Sequence, residues 1–234
     1  SIGAELRVGS HDRAHFADAD LIVVSPGVPP LAVLDAAEAR GVLVIGEIDF
    51  AARFVESRFV GITGTNGKST VTTLVGEMAK SLGRALFVGG NLGAPLATVV
   101  GTEAGTKDGA CIVELSSFQL ERAPALHCQI AALLNVTDDH LDRYDSFAGY
   151  VAAKGNIFHG QRRSDLAIVP DGDALCLGLA RASAADVLTF GGAGGAVRVR
   201  DGLITDLLSG LSFPVAELGI KGLRDLFQLA LFQV

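Results

Sequence analysis

An α/β fold built on a mostly parallel sheet is what this sequence predicts, and three observations carry the prediction. Short, nearly continuous apolar runs recur along the chain, as strands do when helices cover both sheet faces. Helix-compatible stretches alternate with those runs. A glycine-rich loop, Gly64-Thr65-Asn66-Gly67-Lys68-Ser69, stands between an apolar run and an amphipathic stretch. Composition agrees, because 49% hydrophobic and 19% charged residues exclude a disordered chain. The 234 residues suit one large or two small domains. With 19 Lys and Arg against 26 Asp and Glu, the net charge is −7. That argues against general nucleic-acid binding and leaves room for a local basic pocket for phosphates.

Taken in order, Leu21-Ile22-Val23-Val24 is a β-rich run, broken as a loop by Ser25-Pro26-Gly27-Val28-Pro29-Pro30. Leu31 to Arg40 is alanine-rich and helix-compatible, and Gly41 is placed to stop it. Val42-Leu43-Val44-Ile45 is a second strand, and strand, helix and strand in so short a span predict a βαβ unit with parallel pairing. Ile48 to Phe54 reads as a short helix leading out of this piece. The domain boundary is placed near Ser57, dividing 1–57 from 58–234.

Phe59 to Thr63 is the next strand, and the glycine loop follows it at once. From Ser69, the residues Val71, Leu74, Val75, Met78, Ala79 and Leu82 follow a helical stripe that Gly83 ends. Ala85 to Val88, Cys111 to Leu115 and Ile130 to Leu134 are further buried strands. Gly101 to Gly109 is polar and glycine-rich and reads as a surface loop. Ser146 can cap a helix reaching Ile157. Val197 to Thr205 reads as a hairpin on the Asp201-Gly202 turn, and Gly191 to Gly195 as a small flexible turn. Cys111, Cys128 and Cys176 are odd in number and form no CxxC pair, so they read as reduced core thiols. No apolar run approaches membrane-spanning length. The opening residues, SIGAELRVGSHDR, carry no signal-peptide pattern and do not look like a natural beginning, so the chain is expected to open inside a domain.

The chemistry-bearing residues sit at strand ends. In the glycine loop, glycines let the backbone approach phosphates while its N–H groups point at the oxygens. Lys68 would sit on the β/γ-phosphates and the Ser69 hydroxyl on Mg²⁺. The spacing is shorter than the general GxxxxGK[ST] pattern, whose first glycine position holds Ile62. The bland alternative is a glycine-rich turn with an exposed lysine, and the flanking strand and helix weigh against it. Glu114 breaks an apolar run where open α/β sheets place their ligands. It reads equally as a Mg²⁺ ligand or as a strand-end carboxylate in water. Asn135-Val136-Thr137-Asp138-Asp139-His140-Leu141-Asp142 is a polar cluster at another strand's end. His140 could ligate a metal or orient a phosphate, or be structural. Tyr150 and Lys154 share a helix face. From spacing alone Lys154 reads as a surface lysine. Strand ends at 64, 114 and 135–140 converging on one crevice would favour the site reading.

At this point the residues resemble a known family, the Mur ligases, and within it most closely the branch that adds D-glutamate. The matching stretches are SPGVP at 25–29, GITGTNGKSTVTTLVGEMAK at 61–80, GGNLGAP at 89–95, ELSSFQLE at 114–121, NVTDDHLDRY at 135–144 and YVAAK at 150–154. GTNGKS alone is shared with other Mur ligases and with folylpolyglutamate synthases. Another amide ligase of this type, or a non-catalytic nucleotide-binding module, therefore stands as the alternative.

The resemblance implies a partial uridine-binding α/β domain over 1–57 and a central P-loop ATPase domain over 58–234. A C-terminal Rossmann-like domain of the family has no counterpart in this chain. It implies a bacterial cytoplasmic enzyme, monomeric, acting on small molecules and not on nucleic acid or membrane. ATP would phosphorylate the carboxylate of UDP-N-acetylmuramoyl-L-alanine (UDP-MurNAc-L-Ala), and the amine of D-glutamate would attack the acyl phosphate. Gly64, Thr65, Asn66, Gly67, Lys68, Ser69 and Thr70 match the nucleotide loop. Lys68, Glu114, His140 and Lys154 match catalytic positions. Ser69, Glu114, His140 and Lys154 match metal positions, for Mg²⁺ at two sites, with Lys154 the lysine that family members carbamylate. Ser25 and Gly27 match part of the uracil pocket, and Asn91, Ser116 and Gln119 match positions near the muramoyl substrate. One stretch departs: where the family shows Gly-x-His-Asn-x-x-Asn, this chain has Gly222-Leu223-Arg224-Asp225-Leu226-Phe227-Gln228. That departure bears on the adenine-side contacts.

Overall fold

The computed structural model describes residues 3–9, 11–25, 27–138 and 143–214. In chain order the elements are α1 (Arg13–Ala17), β1 (Leu21–Val24), α2 (Ala32–Glu38), β2 (Leu43–Gly46), α3 (Glu47–Ala52), β3 (Arg58–Thr63) and α4 (Lys68–Ala79). Then come β4 (Leu86–Gly90), β5 (Ala110–Glu114), α5 (Ser117–Glu121), β6 (Ile130–Leu133), α6 (Phe147–Gly155), β7 (Leu166–Pro170) and α7 (Ala174–Arg181). The last are β8 (Asp186–Phe190), β9 (Val197–Arg200), β10 (Leu203–Asp206) and β11 (Ser212–Pro214). Strands β1 and β2 form a small parallel pair. The others form one sheet in the order β11-β10-β9-β8-β7-β6-β3-β5-β4, parallel from β4 through to β9 and antiparallel beyond.

The expected βαβ unit is present, with α2 covering β1 and β2 through Leu34, Ala37 and Val44. The second strand starts one residue later than expected. Helix α3 then seats on the main sheet, where Ile48 and Ala51 join the large core. Its neighbours tie it down. Gly46 N donates to Arg122 O (2.7 Å), and Ala97 N donates to the Glu47 carboxylate (2.9 Å).

The alternation of β3 explains its unbroken apolar run. Phe59 points into the core that also holds Cys111, Val113, Leu133, Ile157 and Val169, while Ile62 points to the opposite face with Ile112 and Ala132. Helix α4 covers that second face with Val71, Val75 and Ala79 of the expected stripe, though the end of the stripe is seated differently. Thr72 and Gly76 are its buried positions, whereas Met78 is 73% and Leu82 64% exposed. The cause is close approach: a Cβ on Gly76 would lie 2.8 Å from Val88 Cγ2. Small residues let the helix sit low, which turns the end of the stripe outward.

The 101–109 stretch is likewise not a simple surface loop. Ala104, Gly105 and Gly109 are buried, and Gly105 O accepts from Glu56 N (2.9 Å). The 191–195 turn is held by Asp171, whose carboxylate accepts from Gly194 N (2.8 Å). The hairpin forms as expected, with Asp201 (φ 51°) and Gly202 (φ 74°) in the left-handed region that a two-residue type I′ turn needs. All three cysteines are buried and free. Burial pushes the thiols of Cys128 and Cys176 up to about 12, so both stay protonated at neutral pH. Among the described residues, no helix is long and apolar enough to cross a membrane.

At the amino end of the sheet Asp165 is buried against His127 Nε2 (2.7 Å) and accepts from Arg162 N (2.6 Å). Burial pushes this carboxyl up, but the His127 hydrogen bond, the Arg162 amide and the nearby positive charges outweigh it, so it sits below its ordinary value. A carboxyl depressed in the folded state contributes stability above its unfolded pKa and loses that contribution as pH falls through the folded value. Asp165→Asn should therefore cost about 1–3 kcal/mol at neutral pH and flatten the acid limb of the stability profile below about pH 4. Urea melts across that range check this, and an unchanged acid slope would show that the pair carries no linkage.

Candidate nucleotide site at the carboxyl edge of the sheet

Sheet order places the site. Strand β3 pairs with β5 on one side and with β6 on the other, so the chain leaving β3 runs to the β4–β5 side and the chain leaving β5 crosses back to β6. A crevice opens at the carboxyl ends of strands at such a switch point. The register brings Ile62 opposite Glu114 and Thr63 opposite Leu133. The loops that begin at Gly64, Leu115 and Leu134 thus share one edge. The sheet pairing runs on past the strand ends, with Leu115 N donating to Ile62 O and Leu134 N to Thr63 O, both at 2.9 Å.

Loop 64–67 turns sharply into α4. Gly67 occupies the N-cap at φ 82°, a conformation that favours glycine. The first N–H groups of α4 have no intrahelical partners and carry the positive end of the helix dipole. Lys68 Nζ donates to Gly64 O (3.0 Å) and Thr65 O (2.9 Å). Lys154 Nζ, reaching in from α6, donates to the same Gly64 O at 2.8 Å. Lys154 is 2% exposed, so the surface reading of this residue is corrected: it is a buried cation beside the loop. Its ammonium also lies 4.7 Å from the Tyr150 ring centroid. Two ammonium groups on one carbonyl create a concentrated positive field suited to a polyphosphate.

The rest of the loop is stitched to the segment after β6. Thr65 N donates to Asn135 O (3.0 Å), Asn66 N donates to Asn135 Oδ1 (2.9 Å), and Asn135 Nδ2 donates to Asn66 O (3.1 Å). The Thr65 hydroxyl accepts from Thr137 N (3.0 Å) and lies 3.1 Å from Tyr150 Oη. Asn135 belonged to a polar cluster noted in the sequence, but its clamp on the loop was not foreseen. The legible signal was a side chain with both donor and acceptor placed one residue beyond a buried strand.

Glu114 ends β5 and is 2% exposed, so it is not a carboxylate in open water. Asn91 Nδ2 donates to its Oε1 (2.8 Å), and Asn91 N to its backbone O (2.9 Å). Among the described residues, Oε2 meets no hydrogen-bond partner. A buried, unpaired carboxylate oxygen suits a hard cation such as Mg²⁺. Lys154 as an amine is a donor and does not suit one; only a carbamate on it would offer oxygens. Ser69 is exposed in the first turn of α4. No three His, Cys, Asp or Glu side chains gather as metal ligands among the described residues. His140 lies outside the described residues, as does the 222–228 stretch.

Of the candidate substrate residues, Ser25, Gly27 and Gln119 lie on a neighbouring cleft, whereas Asn91 sits against Glu114. Phe118 and Arg143 also line that cleft. Ser116 caps α5 and is engaged with Gln119 in a capping box, with Gln119 N donating to Ser116 Oγ (3.2 Å) and Ser116 N donating to Gln119 Oε1 (3.0 Å). Gln119 is buried and Ser116 half-buried, so the box fixes the strand-to-helix corner that faces the cleft.

A strand, a phosphate-type loop and a helix at the switch point of a parallel sheet define the class of P-loop nucleotide-binding domains. A family profile described as the Mur ligase middle domain matches residues 62–229, and the chain belongs to the Mur ligase family. A protein of Desulfatibacillum aliphaticivorans named UDP-N-acetylmuramoylalanine–D-glutamate ligase is 45% identical over 183 residues, which is 76% of this chain and 40% of that protein. One of Geobacter metallireducens with the same name is 44% identical over 222 residues, 92% of this chain and 49% of that protein. The chain thus spans less than half the length of these curated relatives. Among solved structures, a UDP-N-acetylmuramoyl-L-alanyl-D-glutamate–2,6-diaminopimelate ligase superposes with a TM-score of 0.56 at 20% identity, covering 96% of this chain and 59% of that one. That likeness bears on the fold.

The unpaired Glu114 oxygen sets a test. Glu114→Gln retains an acceptor for Asn91 and removes the buried charge, so the thermal midpoint should rise by about 2–4 °C. Calorimetry of the full-length protein without metal checks it, and a fall in the midpoint would mark Glu114 as structural.

Proposed function

We propose that this chain is the nucleotide-binding part of an ATP-dependent carboxylate–amine ligase that joins UDP-MurNAc-L-Ala to D-glutamate in peptidoglycan precursor synthesis. The observation that carries the proposal is the convergence of Lys68 and Lys154 on Gly64 O, at the sheet edge that also carries the buried Glu114. The names of the relatives supply the substrate pair. In this reading residues 1–57 belong to the uridine-side domain and 58–234 to the central domain of a monomeric enzyme of the bacterial cytoplasm. Its substrates are small molecules.

A carboxylate is a poor acyl donor until one oxygen becomes part of a leaving group. Phosphorylation by ATP provides that, and the D-glutamate amine then displaces phosphate to form the amide. Lys68 moves from its loop carbonyls to the β/γ-phosphates, and the amides opening α4 hold the same oxygens. Lys154 holds Gly64 in place as the amine and, once its amine has added CO₂ to form a carbamate, would offer anionic oxygens instead of a donor. Glu114, Ser69, His140 and the modified Lys154 would hold Mg²⁺, which would supply positive charge against the transferring phosphoryl. Ser25, Gly27, Asn91, Ser116 and Gln119 form the side from which the nucleotide-sugar carboxylate is presented.

Full-length protein should release phosphate from ATP only when both UDP-MurNAc-L-Ala and D-glutamate are supplied. Lys68→Ala should lower that turnover about 10²–10³-fold, as loss of a donor aimed at developing charge does elsewhere. Turnover with a folate substrate instead, or a Lys68→Ala enzyme as fast as wild type, would refute the proposal.

A further inference from the structure

We infer that Asn135 is a positioning residue that decides which backbone amides of the loop meet the phosphates. The inference rests on the nucleotide reading proposed above and adds a role that the motif does not contain. A loop cradles phosphate only if its N–H groups face the ligand and its carbonyls face away. Asn135 commits two amides at once. Thr65 N is spent on Asn135 O, and Asn66 N on Asn135 Oδ1. The amides left to receive a phosphate are therefore those of Gly67, Lys68, Ser69 and Thr70, at the opening of α4.

The same side chain turns a carbonyl away. Asn135 Nδ2 takes Asn66 O, while Lys68 takes Thr65 O and shares Gly64 O with Lys154. Consecutive carbonyls at 64, 65 and 66 thus each already meet a side-chain donor. The clamp works at short range: a Cβ on Gly64 would lie 3.0 Å from Leu134 Cβ and 3.3 Å from Asn135 N.

The side-chain chemistry is specific. Asparagine offers a donor and an acceptor in one plane, with the length that lets both ends of residue 66 pair with it. Aspartate at 135 would keep the acceptor, lose the donor and set a negative charge beside the phosphates. Alanine would lose both. Thr65 and Asn66 accordingly shape the loop, and the direct phosphate contacts begin at Gly67.

The experiment uses isotope-labelled full-length protein with MgADP as the probe. In nucleotide-free wild type, exchange of the Thr65 and Asn66 amides should be slow. Asn135→Ala should speed exchange at Asn66 at least tenfold while leaving the β5 amides unchanged, and should weaken MgADP binding at least tenfold. Asn135→Asp, which retains the acceptor, should keep Asn66 protected and still weaken MgADP binding. Titrating wild type with MgADP should shift the amide resonances of Gly67 to Thr70 more than those of Thr65 and Asn66. If either variant binds MgADP like wild type, or Thr65 and Asn66 shift as far as Gly67 to Thr70, the inference falls and the nucleotide reading stands. If wild type does not bind MgADP, the nucleotide reading falls and the inference falls with it.

Discussion

The carbonyl oxygen of Gly64 accepts hydrogen bonds from two lysines, one at the start of the helix that follows it and one ninety residues on. Both side chains are drawn to an acceptor that could serve either alone, and their charges stand close together in a partly dry setting. Like charges held in this way raise the local potential and prepare the site for an anion. The arrangement exists because Lys154 is carried in on α6, whose Ser146 cap and alanine-rich face let it pack closely over the loop. Tyr150, one turn earlier, meets Thr65 on the same loop. One helix therefore holds the loop by two side chains.

The sheet order makes this convergence unavoidable. With β5 and β6 on either side of β3, three chain segments must leave the same edge within a strand spacing or two of one another. Each brings one kind of chemistry: the glycine loop brings amides and Lys68, the end of β5 brings an acid, and the segment after β6 brings the Asn135 clamp. Asn91 adds a bridge from β4 by fixing one oxygen of Glu114. The other oxygen remains buried and unpaired among the described residues. Such a group costs stability, and functional sites are where proteins accept that cost.

Much of this was legible in the sequence, for physical reasons that differ by residue. The loop and α4 were readable because glycines, lysine and a helical stripe are local signals. The Asp201-Gly202 hairpin was readable because two adjacent left-handed residues demand such a pair. The face that α4 buries was legible in part: Val71, Val75 and Ala79 pack on the sheet as the stripe implies, but Thr72 and Gly76 act by being small, and a hydrophobic stripe does not register closeness. Lys154 looked like a surface lysine because its burial comes from α6 packing against α5 and the glycine loop, segments distant from it in sequence. Residues 101–109 looked solvated because glycine is ambiguous between a loop in water and a backbone pressed against the core. Strands β7 and β8 and helix α7 were not anticipated at all. They are short, and α7 depends on Asp173 capping Leu175 and Cys176.

The proposed function is that the site makes an inert carboxylate reactive by transferring a phosphoryl group onto it, and that proposal is the claim on which the account turns. It is tested most directly by supplying full-length protein with ATP, D-glutamate and UDP-MurNAc-L-Ala carrying ¹⁸O in the alanyl carboxylate. The account predicts that one labelled oxygen per turnover leaves with the phosphate released, because it becomes the bridge of the acyl phosphate. Phosphate free of ¹⁸O in a reaction that still forms the amide would contradict it.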